Sequence, residues 1–330
     1  MFNYRQYALH RIATISPRLL PFADVATEEV PLSRLLRLSL FQVTVGMALV
    51  LLVGTLNRVM IVELRVPATI VGVMLALPVV FAPFRALIGF KSDNHVSAFG
   101  WRRVPYIWKG TLLQFGGFAI MPFALLVLSG FGESHDLPPL FGQSAAALAF
   151  LLVGAGVHMV QTVGLALATD LVKEEHQPRV VGLMYVMLLL SMIVSAFIFG
   201  LLLEDYHPAK LIQVIQGAAV VTMALNGIAM WKQEPRNRER AQAMKTAPKQ
   251  HFGDSWSRFS AADGAIRLLT VIALGTAGFG MADVLLEPYG GQVLGMSVAA
   301  TTRLTAVLAF GTLVGFGLAS RVLGRGGSPM

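Results

Sequence analysis

The chain has no cysteine. Disulfides, thiolate metal sites and a thiol nucleophile are therefore excluded. Charge is scarce too: Asp, Glu, Lys and Arg make up 13% of the residues, about half the share of a soluble domain. Signatures of soluble catalysis are missing. There is no GxxxxGK[ST] and no HExxH, and the glycine-rich runs lack the strand–helix setting of a dinucleotide site. No cleavable signal peptide is evident, because the first apolar run long enough to span begins near Leu38, behind a basic segment punctuated by proline.

What the chain does have is apolar length. Hydrophobic residues make up 55% of it, in blocks of roughly 20 to 28, each enough for a hydrocarbon core of about 30 Å. Inside lipid every backbone group must be satisfied within its own helix, so the blocks predict an all-α polytopic membrane protein. Eight spans are expected, at 38–61, 67–90, 105–129, 143–170, 179–203, 208–231, 266–288 and 301–322. The motif PYGG at 288–291 is expected to end the seventh sharply. With the N-terminus inside, 21 Lys and Arg fall in inner segments and three (Arg65, Lys210, Arg303) in outer ones. That bias puts the N-terminus and the loop 89–103 in the cytoplasm. The net charge of +8 therefore reflects membrane orientation and not nucleic-acid binding. Residues 1–37 mix arginines with aromatics, which suits either an interfacial segment or a solvated tail. Residues 232–265 form a basic linker, with Arg236, Arg238, Arg240, Lys245, Lys249 and Arg258 facing anionic lipid.

The loop 89–103, GFKSDNHVSAFGWRR, carries Gly89, Asp93, Gly100, Arg102 and Arg103 between the second and third spans. This order resembles the loop between helices 2 and 3 of the major facilitator superfamily, and its stretched form resembles the PucC/LhaA family of purple phototrophic bacteria. GTLNRVMIVEL (54–64), QTVGLALATDLVKEEHQPRVVGLMYVM (161–187) and DVLLEPYGGQVLGMSVAATTRLTA (283–306) carry the same resemblance. It implies a major facilitator fold: a six-helix half over 38–231, the linker 232–265, and two helices of a second half over 266–330. A partial echo of the loop at 315–327 marks the second half, and by the resemblance about four further helices are expected to be missing. The implied function is that of an assembly factor that binds or delivers bacteriochlorophyll, held transiently, to light-harvesting α and β polypeptides. Bacteriochlorophyll synthase or a reaction-centre light-harvesting complex are further implied partners, and the implied site is the photosynthetic inner membrane. Two other readings share these residues: an alternating-access transporter of a small solute or pigment precursor, and a structural subunit beside a photosynthetic complex.

Three groups of side chains are candidates for function. His158 is the one histidine placed deep in a span, and Gly154, His158, Gln161 and Thr162 share a helical face. Under the resemblance, His158 could serve as axial ligand to the pigment magnesium, Gly154 could admit the macrocycle, and Gln161 or Thr162 could bond a ring carbonyl. The same residues also suit an interhelical hydrogen bond with close packing. Asp283 and Glu287 lie one turn apart near the outer end of the seventh span and need partners. In the arrangement the resemblance implies, spans one and seven both border a central cavity, so Arg58 is expected to pair with Asp283 or Glu287, with Arg65 and Arg303 at similar depth, as a gate or a static clamp. Finally, the resemblance implies that Asp93, Arg102, Arg103, Asp170 and Arg179, joined by Gly89 and Gly100, form a cytoplasmic latch. Arg85 is expected to snorkel toward that interface.

Overall fold

The computed structural model describes residues 30–95, 97, 100–130, 137–234 and 251–324. Most of the expected N-terminal segment, much of the linker and the end of the 315–327 echo lie outside these residues. Among the described residues, eight helices are long and apolar enough to cross a membrane. We label the helices α1 (Leu32–Glu63), α2 (Ala68–Asp93), α3 (Val104–Ser129), α4 (Pro139–Asp170), α5 (Gln177–Leu202), α6 (Pro208–Met230), α7 (Phe252–Ser260), α8 (Ala265–Gln292) and α9 (Val298–Gly324). All but α7 are the spans. The first span begins six residues before the expected position, because Leu35 and Leu38 pack into the core as one more helical turn. The short α7 was not expected. Its Phe252, Trp256 and Phe259 recur at helical spacing and form a run of ring contacts that reaches Phe90 of α2.

In lipid there is little hydrophobic drive between helices, so close approach and polar bonds must hold them. The α3–α4 pair shows the first. A Cβ on Gly156 would lie 2.5 Å from the Gly110 carbonyl oxygen, so the helices meet glycine to glycine, where neither carries a side chain. Gly156→Ala is expected to destabilise by about 1–3 kcal/mol. This would be read as a lower unfolding midpoint in detergent, with Gly116→Ala, whose Cβ meets nothing within 4 Å, unchanged. The second device is a buried seam across α1, α3 and α6. Thr44 donates to Asn226 Oδ1 at 3.0 Å, and Asn226 Nδ2 donates to Thr111 at 3.0 Å.

Proline shapes two of the spans. In α2, Pro83 brings no N–H, and the Ala82 N–H bonds the Val79 carbonyl in a tighter turn. The Pro78 carbonyl is thereby left without its helical donor. In α8, Pro288 cannot serve the Val284 carbonyl, yet the helix continues to Gln292. The expected sharp end at 288–291 is therefore corrected: Asn57 Nδ2 of α1 donates to the Val284 carbonyl at 2.6 Å and replaces the lost bond.

The first helix is the central staff, buried along most of its length, and it changes winding partway. After Leu49 it runs with π-type bonding over Val50–Leu56 and Val59–Glu63. The last two spans dock against this rewound half, whereas α8 is largely exposed on its other sides.

Candidate functional site

Three polar stations stand out: a clasp at the basic end of the bundle, a seam between α2 and α4, and a junction of α1 with α8 and α9.

The clasp centres on Arg103, whose side chain is 7% exposed. Its guanidinium pairs with Asp93 at the end of α2 and with Asp170 at the end of α4, the latter at 3.1 Å. It also donates to Ser92 Oγ at 2.7 Å. Arg102 adds a second bond to Asp170 at 3.1 Å. Gly100 makes the turn into α3 with φ 78°, a backbone suited to glycine. Gly89 lies on α2 facing Thr162 of α4. Arg179 lies exposed in the first turn of α5. The expected grouping of Asp93, Arg102, Arg103 and Asp170 is thus brought together.

Two members of the clasp escaped the sequence reading. Glu234, just past α6, accepts from the backbone N–H groups of Arg102 (2.8 Å), Arg103 (3.0 Å) and Val104 (3.2 Å). These are unsatisfied donors at the start of a helix, where a carboxylate also meets the positive end of the helix dipole. Gln233 accepts from Arg34 Nε at 3.2 Å, and its own amide donates to the Arg34 carbonyl at 3.3 Å. The available signal was an acid standing between Lys232 and Arg236 in an otherwise basic stretch. Nearby, His95 lies edge-on to Tyr106, and burial, then Lys109, lowers its pKa, so it stays neutral at pH 7.

At the α2–α4 seam the four residues proposed for pigment do share a face, and that face is closed by α2. His158 Nε2 lies 2.9 Å from the Pro78 carbonyl, the one the α2 kink had orphaned. Bonding to a carbonyl requires the proton on Nε2, which leaves Nδ1 as the bare nitrogen, and it is buried without a partner. Pro78 fills the space over Gly154. Arg85 does not snorkel outward: it donates to Thr162 at 2.9 Å and to Gln161 at 3.1 Å. Gln161, Thr162 and Nε2 are therefore spent on helix packing and the bare Nδ1 is shut away from the surface, so in this arrangement the face does not fit a macrocycle.

At the junction the expected pairing of Arg58 with Asp283 or Glu287 is replaced. Arg58 bonds Glu63 at 2.6 Å and the Met296 carbonyl at 2.9 Å. The reason is the rewinding of α1: π-type bonding spans five residues, and Arg58 and Glu63 are five apart, so they share a face. Glu287 is buried beside Gly54 and accepts from Thr305, while Asp283 is exposed and lines a cavity of about 280 Å³ between α1, α5, α8 and α9. Arg303 lies 3.6 Å from Glu204. Beside the Arg58–Glu63 pair, Tyr206 is pushed up to about 12, by burial and then by the Glu63 charge, so its phenol stays neutral.

A family model described as PUCC protein matches residues 55–330. The chain is 68% identical over 328 residues to "Protein PucC" of Rhodobacter capsulatus, covering 99% of this chain and 71% of that protein. It is 69% identical over 331 residues to "Protein PucC" of Rhodovulum sulfidophilum, covering 100% of this chain and 73% of that protein. A more distant relative, 26% identical over 285 residues, is the "Bacteriochlorophyll synthase 44.5 kDa chain" of Rhodobacter capsulatus, with 86% of this chain and 62% of that protein covered. No solved structure matches.

Proposed function

The chain belongs to the PucC family, a branch of the major facilitator superfamily implicated in light-harvesting complex assembly, and from that premise we propose that it carries bacteriochlorophyll to light-harvesting polypeptides. The observation that supports this reading is the 68% identity held across 99% of the chain. The name of the distant relative associates that protein with bacteriochlorophyll as well. The partners in this reading are the hydrophobic α and β polypeptides, docking within the photosynthetic inner membrane. The basic end of the bundle faces the cytoplasm, and residues 38–231 form one half with 266–330 opening the second.

When bound, the pigment would supply a magnesium centre that an imidazole nitrogen could hold. His158 would hold it through its unprotonated Nδ1, which is buried in this arrangement.

The test is an absorption spectrum of protein purified in mild detergent from bacteriochlorophyll-producing cells. Pigment bands in the native protein are expected. A colourless protein that drives proton-coupled solute uptake into vesicles would establish the transporter reading instead. His158→Ala is expected to keep its pigment and to unfold earlier, by about 1–3 kcal/mol, because the buried Pro78 carbonyl loses its partner. Pigment loss with an unchanged midpoint would place bacteriochlorophyll on that face.

A further inference from the structure

Next to the clasp, α3 and α6 part at the basic end of the bundle and leave a groove of about 530 Å³. Trp101, Gly227, Met230 and Trp231 line it, with Lys232 and Glu234 at its mouth. The volume falls in the range of roughly 300–1,000 Å³ typical of ligand pockets. Its floor is open at Gly227, where an added Cβ would meet nothing within 4 Å. Trp231 is 64% exposed, an indole set at the end of a span where such rings mark the membrane interface.

The mouth is electrostatically one-sided. Glu234 has both carboxylate oxygens engaged by three backbone N–H groups of the turn into α3, so its charge is committed there. Lys232 makes no ion pair among the described residues. Its backbone is also held in place. Its φ of 54° is a left-handed backbone that few non-glycine residues adopt, and the next two residues, Gln233 and Glu234, are both tied into the clasp. The result is a cation without an ion pair among the described residues, carried on a held backbone beside an apolar, aromatic-walled slot at interfacial depth.

We propose that this groove binds one anionic phospholipid, its phosphate on Lys232 and an acyl chain along Gly227 and Met230 between the indoles. Basic pockets between membrane helices recognise anionic headgroups in this way. The site is separate from the pigment reading and does not rest on it. Its consequence is a lipid bound to the segment that clasps Arg34 and the first turn of α3.

The experiment uses the full chain in lipid-free detergent, with native mass spectrometry and thermal unfolding as readouts. The probes are phosphatidylglycerol, phosphatidylcholine of the same acyl chains, and inorganic phosphate. The native protein is expected to retain one phosphatidylglycerol and to gain midpoint from it, and to do neither with phosphatidylcholine or inorganic phosphate. Lys232→Gln is expected to weaken phosphatidylglycerol binding about fivefold, the worth of one interfacial cation. Gly227→Leu, which fills the floor, is expected to abolish retention while its lipid-free midpoint matches the native one. Equal retention of the two lipids, or native retention in both variants, would overturn the proposal. A midpoint gain from inorganic phosphate equal to that from phosphatidylglycerol would overturn the lipid as occupant.

Discussion

Replacing Arg103 by leucine is expected to destabilise the detergent-purified protein by about 3 kcal/mol, the largest single loss at the basic end of the bundle. The arginine is buried, and its side chain reaches Ser92, Asp93 and Asp170, so it joins the ends of α2 and α4 to the start of α3. Removing one partner of a buried ion network usually costs about 3–5 kcal/mol, because a charge is left uncompensated. Here the stranded Asp93 is 50% exposed, and Asp170, 33% exposed, keeps its bond to Arg102, so part of the loss is recovered and the low end of that range applies. Arg103→Lys is expected to restore less than half of it, since a single ammonium cannot present a planar fork to three partners. Arg102→Leu removes one bond to Asp170 and is expected to cost less than half as much. The unfolding midpoints of the three variants check the order. A double-mutant cycle with Asp170→Asn should show coupling, because the two share a bond. Equal losses at positions 102 and 103 would mean that Arg103 is not the centre of the clasp.

The clasp also shows what the sequence made legible. Asp93, Arg102 and Arg103 stand at fixed spacing in one loop, and Asp170 ends the fourth apolar block, so charge and span order were enough to group them. Glu234 and Gln233 were not legible in the same way, because they act on backbone groups 130 or more residues away and carry no motif. His158 was legible as an exceptional residue but not as to its role. That role depends on Pro83, which lies 75 positions earlier and leaves the Pro78 carbonyl unpaired. Asn57 repeats the lesson at Pro288: a proline that reads locally as a helix end is tolerated once a neighbouring helix supplies a donor. The spans were legible because lipid imposes length and hydropathy on every one of them. The polar bonds between spans follow from which helices meet, and periodicity does not report that. The winding of α1 was invisible for a related reason, since an extra residue per turn in an apolar stretch leaves no mark on composition.

That winding decides the second large effect. Glu63→Leu is expected to destabilise by about 3–5 kcal/mol, because it strands the Arg58 guanidinium, 3% exposed, with only the Met296 carbonyl. Glu63 itself is 35% exposed, so the charge left without compensation by this change is the buried one. Arg58→Met alone is expected to cost less, since the freed Glu63 can turn toward water. The double variant Arg58→Met with Glu63→Leu is expected to be more stable than Glu63→Leu alone, because the arginine is no longer left buried without its carboxylate. Asp283→Asn is expected to shift stability by no more than about 0.5 kcal/mol, as for an exposed residue without a partner in the junction. Thermal unfolding of the four variants separates two arrangements of the same charges. If Arg58 were paired across to α8, Asp283→Asn or Glu287→Gln would reproduce the loss and Glu63→Leu would be mild. A large effect at position 63 with a small one at 283 keeps the arginine within α1. The rewound half then meets the last two spans through Thr55 and Asn57, and through the Arg58 guanidinium at the Met296 carbonyl between them.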